Sequence, residues 1–234
     1  MQNLKICMYK TYRICIKRFP IFKKMIHNYC VCPKNFVILH DFCKILCKKS
    51  IRYVLFVMAK KYQIVDVAKY IALSSLTKQI TVSPLKLQKL LYYAQAWSMV
   101  FGGRENQLFA DVPEAWVNGP VYPVIYEMWK DYGMCDHLSY EDFGTTKESA
   151  MDAFKQLSNS MSMTENERGL LEQIVLMYGT KTQNQLIYLT HSEKPWCEMR
   201  EGLEPFERSN KKISLDTMCK YYSERHARNL ASHK

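Results

Sequence analysis

From Met58 onward the apolar positions fall into helical stripes. Ile64, Val67, Ala68, Ile71 and Ala72 recur at i, i+3, i+4, i+7 and i+8, the spacing of one buried face. They predict a helix over 63–75, with Asp66 in the first turn, where the helix dipole favours an acid. Ser74, Ser75 and Thr77 weaken the pattern, and 78–81 reads as a connection. Ser83-Pro84 combines a capping side chain with proline at the first helical position. The helix it starts should run to about Phe101 and stop at Gly102-Gly103. Leu87, Leu90, Leu91, Ala94, Ser98 and Phe101 form one stripe, while Tyr92, Trp97, Met99 and Val100 carry apolar surface to the other sides. A helix apolar nearly all round is central and buried. Lys86 and Lys89 are expected to keep its first turns polar on one side.

Residues 108–117 are too short and mixed to assign. Asn118-Gly119-Pro120 is a turn, because glycine accepts positive φ and proline fixes the next φ. Val121, Val124, Ile125, Met128 and Tyr132 then follow helical spacing, with Pro123 tolerated in the first turn and Gly133 closing the helix. A polar loop over 136–146, a short helix over 147–157 and a linker over 159–163 come next. Thr164 and Glu167 have the spacing of a capping box and predict a helix to Tyr178, stopped by Gly179. Another helix runs from 180–183 to Thr190, 191–196 turns into a short helix, and Ser214 caps a last helix with a basic tail from Arg225. The fold class expected is all-α: a single compact multi-helix domain, with room for a minor β element near Trp116.

Charge changes the picture only once it is located. The chain of 234 residues carries a formal +11, which alone would suggest nucleic acid or an acidic membrane surface. Residues 1–57 hold twelve of the Lys and Arg and a single acid, Asp41, whereas 58–234 hold 21 bases and 21 acids. The main domain is therefore neutral. Cysteine divides likewise, with Cys7, Cys15, Cys30, Cys32, Cys43 and Cys47 before residue 48 and only Cys135, Cys197 and Cys219 beyond. Three scattered cysteines do not form a disulfide framework and fit a reducing compartment. Charges interrupt every early apolar run, and none approaches the roughly 20 residues that span a bilayer, so a cytoplasmic protein is expected. Residues 1–57 lack Ala, Gly, Glu and Trp, and Ile, Lys, Phe, Tyr and Asn fill 29 of these positions. We read 1–57 as a basic, Cys-rich extension created by a start assigned upstream of Met58, and 58–234 as the domain. Two weaker readings compete: a zinc cluster of Cys30, Cys32, His40, Cys43 and Cys47, whose spacings lack the paired C-x-x-C form, and a basic amphipathic arm.

The sequence offers little chemistry. Nucleotide-binding glycine motifs, a G-x-S-x-G elbow and an H-E-x-x-H helix are absent. Cys135 and His137 are too close in sequence for a nucleophile and its base. His191 stands in a distinctive setting before Pro195-Trp196, where its ring is expected to satisfy main-chain groups. A DNA-binding helix at Lys86 and Lys89 conflicts with that helix's burial and with the neutral domain.

Four segments carry a family resemblance: VDVAKYI (65–71), SPLKLQKLLYYAQAW (83–97), EAWVNGPVYPVIYEMW (114–129) and THSEKPW (190–196). Together they resemble the Panacea domain family, also called antitoxin SocA-like, over essentially 58–234. The resemblance implies a small cytoplasmic bacterial or phage protein acting as an antitoxin. Such a protein neutralises, by direct protein binding, a toxin encoded beside it. It implies no catalytic activity and no cofactor. An adaptor that delivers the toxin to an ATP-dependent protease is the alternative, followed by a DNA-binding autoregulator; a hydrolase centred on His191 ranks last. Carried over by motif, Lys86, Gln88, Lys89, Tyr93, Trp116, Gly119, Pro120, Tyr126, His191 and Trp196 are the candidate toxin-binding residues. The polar faces bearing Lys86, Lys89 and Tyr93, with the Gly119 turn, are expected to border that surface.

Overall fold

The computed structural model describes residues 62–134 and 136–232, which belong to one compact unit. The readings placed on 1–57 and on Cys135 lie outside the described residues. The order of elements is α1 (Ile64–Thr77), α2 (Pro84–Gly102), β1 (Glu114–Trp116), β2 (Gly119–Val121), α3 (Pro123–Met128), a 3-10 turn (Glu141–Phe143), α4 (Ala150–Ser160), α5 (Glu165–Tyr178), α6 (Gln183–His191), α7 (Lys194–Arg200) and α8 (Leu215–Ser232). The domain is mainly helical, as expected, and the β element is a two-stranded hairpin.

Helix α2 is the axis. Ser83 caps it through the Lys86 amide at 3.1 Å, Pro84 occupies the first turn, and every residue from Lys86 to Ala96 is buried. It packs against α8, α5, α1, α6 and β2. Burying Leu87, Leu90 and Leu91 stabilises the fold by about 1.5–3 kcal/mol for each side chain. The polar side expected of its first turns does not exist. Lys86 lies 7% exposed with Nζ donating to the Thr81 carbonyl at 2.7 Å, and Lys89 is wholly enclosed. Polar residues in α2 act from inside: Gln95 accepts from the Leu108 amide at 2.9 Å and donates to the Phe109 carbonyl at 2.9 Å. Those two bonds give the irregular 103–113 segment its attachment to the core.

Helix α1 runs past Ser74 and Ser75 because both hydroxyls find partners. Ser75 Oγ donates to the Ile71 carbonyl at 2.7 Å and Ser74 Oγ to Glu172 of α5 at 2.8 Å. Capping boxes open α5 at Thr164–Glu167 and α6 at Thr182–Gln185, the second within the expected 180–183 start. Helix α3 stops at Met128 rather than continuing to Tyr132. Trp129 leaves helical geometry at φ −133° and turns its ring inward to 8% exposure, so burial of the largest side chain overrides helical spacing.

β1 and β2 pair antiparallel, with Trp116 opposite Gly119 and Glu114 opposite Val121, across a loop of Val117 and Asn118. The outer edge of β1 is covered by the segment before α8: the Ala115 amide donates to the Lys211 carbonyl at 2.9 Å, and the Ile213 amide to the Pro113 carbonyl at 2.8 Å.

Candidate functional site

The hairpin is held from behind by two of the motifs read in the sequence, 83–97 and 190–196. Gln88 grips the start of α3 at two points, accepting from the Tyr122 amide at 2.8 Å and donating to its carbonyl at 3.3 Å. Lys89 Nζ donates to the Pro120 carbonyl at 3.0 Å. Gly119 sits at φ +97°, and a Cβ there would lie 2.7 Å from Thr190 Oγ1 and 2.8 Å from Lys89 Cε. The position thus requires glycine both for its backbone angle and for the close passage of α2 and α6. From α7, Trp196 Nε1 donates to the Trp116 carbonyl at 3.0 Å. His191 stacks on the Trp196 ring at 3.9 Å and 9°. Arg200 approaches that ring at 5.5 Å and donates to four carbonyls, those of Ala115, Glu204, Glu207 and Pro205.

Burial sets the protonation of these groups. Lys89 has one hydrogen-bond acceptor for its amine, and enclosure lowers its pKa from 10.5 to about 7. His191 is pulled below its ordinary value by burial first and by Lys89 second, with the nearby Val117 main chain opposing them. Its Nε2 is buried and has no partner among the described residues. Cys197 lies nearby, but its thiol contacts the His191 carbonyl at 3.1 Å, not the imidazole, and burial raises its pKa. An imidazole held neutral beside a protonated thiol lacks the nucleophile–base bond of a covalent catalyst.

A second polar cluster lies one helical turn along α2. Glu193 is 2% exposed and receives the Tyr222 hydroxyl, the Arg225 guanidinium at 2.7 Å and, more loosely, the Tyr93 hydroxyl at 3.4 Å. Burial pushes its carboxyl up, and those donors pull it back. Tyr93 also stacks on Tyr178 at 4.0 Å, and Tyr178 accepts from Trp97 Nε1 at 2.9 Å. Glu193 therefore ties α2, α7 and α8 together.

In front of the hairpin is an open cleft of about 850 Å³. Trp116, Val117, Tyr126, Trp129 and Met134 supply its apolar wall, with Trp116 and Tyr126 in edge-to-face contact at 4.9 Å. Within that wall Met134 is 58% and Tyr126 41% exposed, and α3 also exposes Val124 at 49% and Met128 at 40%.

The ten sequence candidates therefore separate into two sets. Trp116 and Tyr126 face the cleft, and Gln88 reaches its floor. Lys86, Lys89, Tyr93, Gly119 and Pro120 are buried, while His191 and Trp196 are half-buried behind the hairpin. Lys89 and Tyr93 do not lie on a polar face; they fix the hairpin and Glu193 from inside, because α2 is enclosed on every side. Sequence reasoning passed over Gln95, Glu193, Arg200 and Arg225. Glu193 had one visible signal, a lone acid inside the THSEKPW motif. Among the described residues, no group of three or more His, Cys, Asp or Glu side chains could hold a metal ion, and no helix is long and apolar enough to cross a membrane.

This arrangement is that of a rigid helical scaffold presenting a hairpin and an aromatic cleft, and the comparisons place it. Residues 87–197 match the family described as antitoxin SocA-like, Panacea domain. It is 30% identical over 126 residues to Antitoxin SocA of Caulobacter vibrioides (strain NA1000 / CB15N), a match covering 53% of this chain and 62% of that protein. The chain thus spans under two thirds of that relative's length. No solved structure matches.

Proposed function

We propose that this protein is an antitoxin that neutralises a cognate toxin, encoded nearby, by direct protein–protein binding. The observation that carries the reading is where the family region falls. Residues 87–197 contain the hairpin, the side chains that clasp it from behind and most of the aromatic cleft wall. Apolar side chains gathered on one exposed face mark a protein-binding surface, and Trp and Tyr are favoured anchors there. The buried residues of the motifs serve by keeping that face rigid, so less ordering is needed on binding.

The test is co-expression of the full chain with the neighbouring open reading frame. Growth arrest by that frame alone, relieved by this protein, is the expected result; a neighbour that never inhibits growth removes the main support. The toxin's half-life separates blocking from delivery to an ATP-dependent protease. An unchanged half-life is expected for blocking, and a shortened one would favour the adaptor.

A further inference from the structure

The cleft beside the hairpin has a charge pattern as well as an apolar wall. Three charged side chains line it: Glu114, Lys130 and Arg208. Two are engaged. Glu114 Oε2 accepts from Trp116 Nε1 at 2.9 Å, and Lys130 Nζ pairs with Glu127 at 3.0 Å. Arg208 has no acidic partner among the described residues, and the Asn118 and Asn210 side chains in the same wall make no hydrogen bond among them. The unengaged polar groups thus include one guanidinium, two amides and the Tyr126 hydroxyl, set around the Trp116–Tyr126 pair. Arginine is suited to a carboxylate because its planar fork matches the two oxygens. Side-chain amides match the alternating donors and acceptors of a main chain.

We infer that this cleft docks an extended segment of a partner protein in which a large apolar or aromatic side chain stands beside a carboxylate. The apolar group packs on Trp116 and Tyr126, the carboxylate meets Arg208, and Asn118 and Asn210 receive the segment's backbone. Nucleic acid fits less well: a single unengaged cation beside Glu114 offers few phosphate contacts. A small ligand would leave uncovered part of an apolar wall in which Met134 is 58% and Tyr126 41% exposed. The inference deepens the protein-binding reading above, yet its test needs no toxin.

The probe is a phage-displayed library of random linear peptides selected on the full chain, with the enriched sequences synthesised and titrated by fluorescence polarisation. Enrichment of sequences with Trp, Phe, Tyr or Leu next to Asp or Glu is expected. Arg208→Glu should weaken their binding by about tenfold or more, and Tyr126→Ala by a comparable factor. Tyr188→Ala, an exposed aromatic on α6 that does not line the cleft, should leave it unchanged. Matching thermal melts confirm that the variants fold, and should Tyr126→Ala melt early, the Arg208 substitution decides. No enriched peptide, enrichment of basic sequences, or binding indifferent to both cleft variants would overturn the inference. So would a dimer in sedimentation that Tyr126→Ala dissolves, which would assign the face to a second copy. Failure of growth rescue with peptide binding intact would remove the toxin reading and leave the cleft standing.

Discussion

Lys89 and Glu193 are both charged residues enclosed in the same core, and they have solved the problem of burial in opposite ways. Glu193 gathers two hydroxyls and a guanidinium from α2 and α8. Lys89 has one carbonyl, that of Pro120. A buried charge is tolerable when paired and hydrogen-bonded, and otherwise the group shifts its pKa and neutralises. Desolvation raises the Glu193 carboxyl and its three donors offset part of that rise, while Lys89, with one acceptor, is driven down to about 7. One site is a network that fails as a unit; the other is a single prop under the hairpin whose charge depends on pH.

The largest effect expected follows from the network. Glu193→Leu strands Arg225 and Tyr222, and removing one partner of a buried pair costs about 3–5 kcal/mol. Urea unfolding of the full chain should show that loss. A change below about 1 kcal/mol would mean that α8 is not held to the core through Glu193.

Gly119→Ala acts on the prop from the other side. The backbone at φ +97° strains any L side chain, and the new Cβ would press on Thr190 and displace Lys89 from its carbonyl. A loss of about 2–3 kcal/mol is expected. Peptide binding at the cleft should fall with it, since the hairpin carries Trp116. Intact binding in a destabilised variant would separate the hairpin's backbone from the function of its front face.

The Lys89 prop has a pH signature. Its folded pKa is depressed from 10.5 to about 7. Between these values the unfolded chain binds a proton that the folded chain does not, so stability from this group is full above about pH 10.5 and is lost as pH falls to about 7. Buried Tyr92, Tyr122 and Tyr222 have pKa values raised well above 10, and they act in the opposite direction only at higher pH, which leaves pH 7–9 as the window for lysine. The urea midpoint should rise by the equivalent of about 1–2 kcal/mol across it, and Lys89→Met should flatten that rise. An equal slope in both proteins would show that the amine is charged when folded.

Much of the fold was legible because it rests on local signals. The Ser83-Pro84 start, the Thr164–Glu167 capping box and the all-round apolarity of α2 each carry their physical cause in the sequence. The site was legible as a set of motifs but not as a geometry. Lys89 reads as a surface residue in any local pattern; only the enclosure of α2 by its neighbours in the fold shows that its amine points inward at a carbonyl 31 residues away. The roles of Glu193, Arg200 and Arg225 escaped local reading for the same reason, since partners such as Tyr93, Ala115 and Tyr222 come from distant segments. The end of α3 failed differently: the spacing of Met128 and Tyr132 is helical, but Trp129 gains more by turning into the core.

The smallest effect concerns His191, and it discriminates between structure and chemistry. Its ring stacks on Trp196, and its Nε2 faces no partner among the described residues. A residue that serves by stacking should tolerate another flat ring. His191→Phe keeps the contact with Trp196 and removes the unpaired nitrogen, a change worth about 1 kcal/mol or less. Stability within about 1 kcal/mol of the parent protein is therefore expected, along with full growth rescue in the co-expression assay. His191→Ala should cost more stability, because it leaves Trp196 without its stacked neighbour. Loss of rescue in a stably folded His191→Phe protein would assign the imidazole a chemical role and sink the scaffold reading of this side of the hairpin.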